Sequence, residues 1–475
     1  MSSVAPTCHP DACPAAAERG SVRRPTMFRS LLIANRGEIA RRIGVVARSM
    51  GLRTVAVYSD ADAQAPFVKE ADQAVRLGPP PPKDSYLNVD ALIRAAKETG
   101  AEAVHPGYGF VSENAEFARA CTDAGIVFVG PPPESMARMK DKAQARALAA
   151  GAGVPVVPGS DGVVADLGGA TAAAERIGFP VLVKAAGGGG GIGMAVAGSQ
   201  PELEKAFRAC ADRARSAFGR DAVYLERYFP APRHIEVQIL GDTHGNLLHV
   251  LERECSIQRR HQKVVEEAGS PLFLDGKNPE LFRKMTDAAL AAARAFGYAN
   301  AGTVEFLVSD GEFFFIEMNA RLQVEHPVTE LTTGVDLIGW QLRIASGERL
   351  TVKQDEIRRL GHALEFRIYA EDPVRFLPSP GPLNVFRPPE GEGIRVDAGY
   401  AEGGVVTPYY DPLLAKLIVS GKDRAEAIRR SEDALERFDI QGLKNNVPLH
   451  LRIVRDRAFQ EGVLDTHFLE HHAKP

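Results

Sequence analysis

Five consecutive glycines, residues 187–191, lie between two short apolar stretches that are predicted to be strands, VLVKA and MAVA. The loop therefore joins a strand to a strand, whereas dinucleotide-binding loops and P-loops run from a strand into a helix whose N-terminus meets the phosphate. Ordering so many glycines is entropically costly, but their backbone N–H groups can approach an anion closely. We interpret the loop as a mobile hairpin that covers phosphates, aided by the charge of Lys184. A surface hairpin without a ligand is the alternative.

The region before the glycines alternates strands with helices. Residues 29–34 are predicted to form a buried strand, and Ile39, Ile43 and Val46 share one face of a helix at 38–50. A second strand, LRTVAVY, completes a βαβ unit, and a similar unit continues to the GPPP sequence that interrupts it. Because a strand–helix–strand crossover joins parallel neighbours, these units predict a parallel sheet.

The chain is long enough for several domains, since 475 residues exceed what one small core usually holds. The fold class we expect is α/β and α+β in three domains. We expect an N-terminal parallel-sheet (Rossmann-like) domain at 27–134, a connector with the glycine-loop domain at 135–227, and a large domain at 228–475. Residues 1–26 have no apolar face to bury and are expected to be an unstructured tail. An upstream start codon, with the folded chain beginning near Met27, is the alternative.

Composition argues against several classes of protein. The net charge of -4 gives no basic footprint for nucleic acid, and we find no apolar run of the roughly 20 residues that crossing a bilayer requires. The five cysteines are scattered, so we expect neither a disulfide framework nor a zinc pair. We expect Cys255 to be a small packed residue, with a reactive thiol as the alternative. A reducing cytoplasm fits this cysteine usage best.

Acidic side chains mark a predicted hairpin formed by GTVEFLV and EFFFIEMN. Glu317 and Asn319 are two residues apart and share a face of their strand. A two-residue loop would place Glu305 on the opposite face, whereas a three-residue loop would place it on the same face. We expect the three-residue loop, because carboxylates and an amide oxygen that converge would bind Mg²⁺. A solvated strand face is the alternative.

Two segments, FPVLVKAAGGGGGIG and FIEMNARL, resemble the paired signatures of ATP-grasp ligases and are shared with carbamoyl phosphate synthetases. Three more narrow the resemblance to the biotin carboxylase family: HPGYGFVSENA, ERECSIQRRHQKVVEEA and ARLQVEHPVTE. The resemblance extends from about Met27 to the C-terminus. It implies a three-domain ATP-grasp architecture.

The resemblance also implies roles for individual residues, with ATP, Mg²⁺ (or Mn²⁺) and bicarbonate as ligands and biotin supplied on a carrier protein. The residues implied to contact ATP are Lys142, Lys184, Gly188, Gly189, Gly190, Gly191, Glu226, Arg227, Phe229, His234, Gln258 and His261. The implied metal ligands are Glu305, Glu317 and Asn319. The implied bicarbonate contacts are Lys263, Arg321, Gln323, Val324 through its backbone, and Glu325. The implied catalytic residues are Glu325, Arg321, Lys263 and Arg367.

The residue chemistry agrees with those roles. Bicarbonate is a weak nucleophile that must lose a proton while it attacks the γ-phosphate, so it needs a base beside cationic groups. RLQVE is expected to put Arg321, Gln323 and Glu325 on one face of an extended segment, where Lys263 and Arg321 can clamp the anion. Once carboxyphosphate has broken down to CO₂ and phosphate, the phosphate can deprotonate biotin N1, and an arginine is useful beside the enolate-like oxygen that develops. The resemblance implies that this arginine is Arg367.

The sequence departs from the family pattern at one position and lacks two features of multidomain biotin-dependent carboxylases. Ile192 stands where many family members carry Arg or Lys, which removes one potential phosphate contact. We find no Met-Lys-Met biotin attachment motif and no carboxyltransferase domain, so the expected partners are a separate biotin carboxyl carrier protein and a carboxyltransferase subunit. The resemblance implies a homodimer and the stand-alone subunit of acetyl-CoA carboxylase or another acyl-CoA carboxylase. The alternatives are a different ATP-grasp ligase, a non-catalytic nucleotide-binding homologue, and a pyruvate carboxylase subunit.

Overall fold

A parallel sheet forms the N-terminal part of the chain, as the sequence predicts. In this computed structural model the described residues are 27–185, 194–218, 223–260 and 262–472, so the tail, the glycine run with Ile192, and His261 lie outside them. The strands of the sheet are β1 (Ser30–Ile33), β2 (Arg53–Ser59), β3 (Gln73–Gly78), β4 (Ala103–His105) and β5 (Val127–Phe128). They lie in the order β3-β2-β1-β4-β5, and each neighbouring pair is parallel.

Helices cover both faces of this sheet because alternate residues of its central strand point to opposite sides. The helices are α1 (Gly37–Ser49), α2 (Pro66–Glu70), α3 (Val89–Thr99) and α4 (Ala115–Asp123). Leu31 and Ile33 belong to one buried cluster with Ile43 of α1, whereas Leu32 belongs to another with Leu92 of α3. Strand β3 and helix α2 were not predicted from the sequence. Strand β3 lies at the sheet edge and begins with exposed residues, so it lacks the apolar pattern of a buried strand.

The connector after the parallel sheet consists of two helices, α5 (Pro133–Lys140) and α6 (Lys142–Gly151). Asp141 separates them. Its carboxylate accepts hydrogen bonds from the N–H groups of Ala143 (2.9 Å) and Gln144 (3.0 Å), which is the geometry of an N-cap. The second helix therefore begins at a capping residue that the sequence already contained.

A small antiparallel sheet follows the connector. Its elements are α7 (Leu167–Ile177), β6 (Val181–Ala185), β7 (Met194–Ala197), α8 (Gln200–Phe218) and β8 (Val223–Arg227). The strands lie in the order β7-β6-β8. Because β6 and β7 pair antiparallel on either side of the glycine run, the run connects two strands of one sheet, as the sequence predicts.

The remainder of the chain is built on an eight-stranded sheet. Its strands and the short strands beside it are β9 (Arg233–Gly241), β10 (Leu247–Arg259), β11 (Gln262–Ala268), β12 (Asn300–Ser309), β13 (Glu312–Asn319), β14 (His362–Tyr369), β15 (Gly381–Pro382), β16 (Val385–Arg387), β17 (Ile394–Ala398), β18 (Val405–Val406), β19 (Leu413–Gly421) and β20 (Asp439–Gln441). The helices are α9 (Pro279–Phe296), α10 (His326–Thr333), α11 (Leu337–Ala345), α12 (Arg424–Arg437), α13 (Val447–Arg455), α14 (Arg457–Glu461) and α15 (Phe468–His471). The large sheet has the order β13-β12-β9-β10-β11-β14-β19-β17 and is antiparallel throughout.

The hairpin between β12 and β13 corrects one expectation. Its loop has two residues, because Ser309 pairs with Glu312, so the three-residue loop was wrong. A β-bulge at Ile316 shifts the register by one residue and brings Glu305 directly opposite Glu317. The bulge therefore places both carboxylates on one face although the loop alone would separate them.

Apolar clusters hold these layers together. Helix α9 packs its buried face against the sheet, and its Phe296 is completely buried and stacks on Phe315 of β13 with ring centroids 6.4 Å apart.

Within the described ranges, no helix combines the length and apolarity that crossing a membrane requires.

We expect Phe296→Ala to lower the free energy of unfolding by about 3–5 kcal/mol, because it removes a buried ring and leaves a cavity. Chemical denaturation followed by circular dichroism would measure the change. Val463→Ala is the control, since Val463 is 59% exposed and its truncation should change stability by less than about 0.5 kcal/mol. Equal shifts in the two variants would contradict the assignment of Phe296 to the core.

Candidate active site

Lys263 lies at the centre of a buried cluster of carboxylates. It projects from β11, and its ammonium donates hydrogen bonds to Glu236 (2.6 Å), Glu305 (2.9 Å) and Glu325 (2.6 Å). Glu236 comes from β9, Glu305 from β12 and Glu325 from the turn before α10. Because all three carboxylates are buried, their charges depend on nearby cations.

Arg253 is a second cation of this cluster and is 0% exposed. An arginine has five N–H donors in a fixed planar fork. Here Nε donates to Glu236, Nη1 donates to Gln238 and Thr329, and Nη2 donates to Thr303 and Gln323. All five donors are therefore used, and the guanidinium fixes both a carboxylate partner of Lys263 and the amide of Gln323.

Arg367 of β14 supplies the third cation. Its Nε donates to Glu266 at 2.6 Å, and its Nη2 donates to Oε2 of Glu325 at 3.0 Å. Since Lys263 contacts the other oxygen, Oε1, the carboxylate of Glu325 lies between two cations. This arrangement orients both of its oxygens.

The cations decide the protonation state of two buried carboxylates. Burial alone would raise the pKa of Glu325, but Lys263, Arg367 and Arg253 more than offset this effect and lower the pKa below its ordinary value. Burial likewise raises the pKa of Glu305, and Lys263 and His234 lower it well below the ordinary range. Both groups are therefore carboxylates at neutral pH.

The segment that carries Arg321, Gln323 and Glu325 differs from the expected extended strand. It contains a bend at Arg321 and a turn at residues 324–325. Gln323 and Glu325 join the buried cluster, and Gln323 donates to Glu305 at 2.8 Å. Arg321 instead donates to the amide oxygen of Asn319 at 3.0 Å. The expectation of an extended segment was wrong, because a single period-two strand does not continue through the turn.

Glu305, Glu317 and Asn319 present oxygen atoms on one side of the hairpin. Glu305 lies opposite Glu317, and Asn319 donates its N–H to Glu305 at 2.9 Å. Lys142 lies close by, with Nζ 3.2 Å from Glu317. Carboxylates and an amide oxygen are the ligands that Mg²⁺ prefers, so this donor set fits the ion and these three residues would hold it.

His234 and Gln258 stand beside the same hairpin. The amide nitrogen of Gln258 lies 2.7 Å from Nδ1 of His234, and Nε2 of His234 lies 3.1 Å from Glu305. The two residues come from neighbouring strands, β9 and β10. The structure thus brings them next to the proposed metal ligands.

The other residues that were expected to contact ATP belong to the small sheet and the chain that leaves it. Lys184 of β6 donates to Glu226 of β8, and Arg227 lies over the ring of Phe229 at 5.1 Å. Phe229 is buried against Phe314. Gly188, Gly189, Gly190, Gly191 and His261 lie outside the described residues.

Several charged residues of this region were not predicted from the sequence to belong to the site, chiefly Glu236, Arg253, Glu266 and Lys416. A signal was present, because Glu236 lies within HIEVQILG and Lys416 within LLAKLIVSG, two apolar stretches typical of buried strands. A charge in such a strand must find a partner. Which partner it finds is decided by strand order, which the sequence does not reveal.

Comparison with known proteins places this arrangement in a class. The model described as biotin carboxylase, N-terminal domain, matches residues 27–136, and the model described as biotin carboxylase C-terminal domain matches residues 365–471. Between them, residues 141–353 match the ATP binding domain of the carbamoyl-phosphate synthase L chain. The first match covers the parallel sheet, the second covers the small antiparallel sheet and strands β9 to β13 of the large sheet, and the third covers most of the remaining strands of the large sheet. They define a carboxylase built around that ATP-binding domain.

Individual relatives agree over almost the whole chain. A biotin carboxylase of Halalkalibacterium halodurans is 53% identical over 450 residues, covering 94% of this chain and 98% of the relative. A pyruvate carboxylase subunit of Methanothermobacter thermautotrophicus is 48% identical and covers 94% and 91%. The biotin carboxylase domain dimer of Hydrogenobacter thermophilus 2-oxoglutarate carboxylase, in complex with MgADP, ADP and bicarbonate, has a TM-score of 0.85 at 46% identity, covering 94% and 98%. This chain belongs to the biotin carboxylase family.

Arg253→Met tests how strongly the cluster depends on its most buried cation. We expect a loss of about 3–5 kcal/mol in unfolding free energy, because Glu236 loses a charged partner and several acceptors lose their donor. Urea denaturation would measure it. Arg457→Met is the control, since the side chain of Arg457 is 88% exposed and its pair with Glu461 should contribute less than about 1 kcal/mol. A similar small loss in both variants would contradict this account.

Proposed function

We propose that this chain catalyses the ATP- and bicarbonate-dependent carboxylation of biotin on a separate carrier protein, through carboxyphosphate. One observation carries the proposal: the buried carboxylate of Glu325 is held between Lys263 and Arg367, with the amide of Gln323 in the same cluster. A fixed base between cations is what the activation of an anionic nucleophile requires. Membership of the biotin carboxylase family supports the choice of reaction.

We assign the proton transfer to Glu325. Its pKa is held low, so it is ionised before substrate enters. Bicarbonate would bring a negative charge to the same cations, which raises the affinity of Glu325 for a proton. As the bicarbonate oxygen attacks the γ-phosphorus, its proton passes to Glu325 and ADP leaves. Lys263, Arg321, Gln323 and the backbone of Val324 hold the anion during this step.

The second half of the reaction uses Arg367. Carboxyphosphate gives CO₂ and phosphate, and the phosphate takes the proton from N1 of biotin. The negative charge that develops on the ureido oxygen is stabilised by the guanidinium of Arg367. Since Arg367 also contacts Glu325, the two steps occur beside the same pair of side chains.

Nucleotide binding is assigned to the surrounding residues. Glu305, Glu317 and Asn319 would hold Mg²⁺, which neutralises phosphate charge when it is bound. The side chains and segments proposed to contact ATP are Lys142, Lys184, the glycine run, residues 226–229, His234, Gln258 and His261. The position of His234 and Gln258 beside Glu305 supports a nucleotide whose phosphates reach the metal ligands.

The proposed assembly follows the family. We place the chain as a homodimeric subunit that works with a biotin carboxyl carrier protein and a carboxyltransferase subunit of an acyl-CoA carboxylase, in the cytoplasm. The described cysteines Cys121, Cys210 and Cys255 are free and buried, in agreement with a reducing compartment.

The match to a pyruvate carboxylase subunit favours pyruvate as a second candidate acceptor. The domain division at 134 and 227 is part of the same proposal.

Phosphate release from ATP tests the activity directly. The purified chain is incubated with Mg²⁺, ATP and bicarbonate, with and without free biotin. Bicarbonate-dependent release that biotin stimulates is the expected result. Binding of ATP without turnover under any of these conditions would overturn the proposal in favour of a non-catalytic nucleotide-binding protein.

Glu325→Gln should lower biotin carboxylation by about 10²–10⁴, the usual contribution of a general base, and leave ATP binding in place. Turnover is followed by phosphate release and ATP binding by calorimetry. Glu280→Gln is the matched control, because the side chain of Glu280 is 72% exposed on α9. Near-normal turnover of Glu325→Gln would remove Glu325 from the proposed role.

Light scattering coupled to gel filtration should give twice the mass of one chain at micromolar concentration. The expectation comes from a relative of 46% identity that is described as a dimer. An active species with the mass of a single chain would contradict it.

A further inference from the structure

Lys416 is a fully buried cation that the proposed chemistry does not use. It lies in the middle of β19 and is 0% exposed. Its Nζ donates a hydrogen bond of 2.8 Å to the backbone carbonyl of Val324. The same Nζ lies 3.2 Å from Glu38 of α1 and 3.8 Å from Asp397 of β17. A single ammonium thus joins the N-terminal unit, the C-terminal strands and the turn that carries Glu325.

The strand register places Lys416 next to the site. On neighbouring strands it lies directly opposite Arg367 of β14 and Asp397 of β17. Directly opposed residues project from the same face of a sheet. Arg367 and Lys416 are therefore adjacent cations, of which one holds the carboxylate of Glu325 and the other holds the carbonyl of the preceding residue.

Holding that carbonyl constrains the base. The peptide unit between Val324 and Glu325 is planar, so the direction of the Val324 carbonyl determines the direction of the next N–H and the position of the Glu325 Cα. Glu325 is therefore held at two places. Lys416 holds the backbone that precedes it, and Lys263 and Arg367 hold its carboxylate oxygens. Without the backbone contact, the bond that holds the Val324 carbonyl is missing while the side-chain contacts remain.

Nearby groups balance the charge of Lys416. Glu38 also accepts a hydrogen bond from the hydroxyl of Tyr108, and Asp397 is held by both Nε and Nη2 of Arg395 at 2.9 and 2.7 Å. Two carboxylates in fixed positions thus face one ammonium. They keep the lysine charged in the interior and direct it toward the turn.

We propose that Lys416 is a positioning residue of the carboxylation reaction, which holds the Val324–Glu325 turn where Glu325 can take the proton from bicarbonate. The proposal rests on the function proposed above. It adds that the contact between Lys416 and Glu38 links the N-terminal unit to the part of the site proposed to bind bicarbonate.

Kinetics of Lys416→Met test this role. We expect the KM for bicarbonate to rise about tenfold or more, the effect of losing one charge-assisted hydrogen bond, while the KM for ATP changes less than twofold. Arg424→Met is the matched control. Arg424 is a cation with a 10% exposed side chain that donates to Glu267 and to the backbone carbonyl of Gln460, neither of which belongs to the turn. Its loss should lower the melting temperature but leave the KM for bicarbonate unchanged.

A second variant separates positioning from charge balance. Lys416→Met combined with Glu38→Gln removes one cation and one carboxylate, so the interior charge is restored, but the hydrogen bond to Val324 is still missing. A raised KM for bicarbonate in the double variant supports the positioning role. A return to the wild-type value would overturn it, because charge balance alone would then explain the single variant. If Lys416→Met does not fold, the double variant is compared with the wild type instead.

Different experimental results would overturn the proposed function and the proposed role of Lys416. A wild-type chain without bicarbonate-dependent phosphate release would overturn the function, and the role of Lys416 with it. An active wild type, together with a folded Lys416→Met variant of unchanged KM for bicarbonate, would overturn only the role of Lys416.

Discussion

The ammonium of Lys263 and the three carboxylates around it are the interaction on which the rest of the site depends. Three buried negative charges would repel one another and lose their hydration, so they can share an interior only with cations at close range. Arg253 and Arg367 supply the remaining positive charge. The members come from separate strands of the large sheet and from the turn before α10. Pairing of those strands therefore brings the site residues together.

The cluster also explains how a bicarbonate anion can be received and activated at the same place. The cations that lower the pKa of Glu325 are the groups that an anionic substrate would approach. Under the proposed function, bicarbonate would take over some of these contacts, and its negative charge would then make Glu325 a better proton acceptor. The contact from Lys416 differs from these, because its acceptor is the backbone carbonyl of Val324 and not the carboxylate of Glu325. Orientation of the base can thus persist while its charge environment changes.

The sequence allowed much of this to be predicted, and the errors have physical causes. The parallel sheet and the strand-to-strand glycine run follow from local periodicity and turn chemistry, and both are confirmed. The three-residue hairpin loop was inferred from the convergence of the carboxylates, and it was wrong because a bulge at Ile316, which the apolar stretch conceals, produces that convergence with a two-residue loop. The bend and turn at Arg321 and Glu325 were missed because an alternating pattern over five residues does not distinguish a strand from a turn. The pairing of Arg253 and Lys416 depends on contacts between residues far apart in the chain.

By itself, the sequence determined which groups could do the chemistry: the carboxylates of the hairpin, the base and amide of RLQVE, and the lysine of the QRRHQK segment. It also determined the family, since those segments are specific to it. Only the tertiary structure decided that Glu325 lies between Lys263 and Arg367, that Arg253 uses all five donors, and that Lys416 reaches the turn. The reason is that local patterns arise from neighbouring residues, whereas the state of a buried charge depends on which distant strand lies beside it.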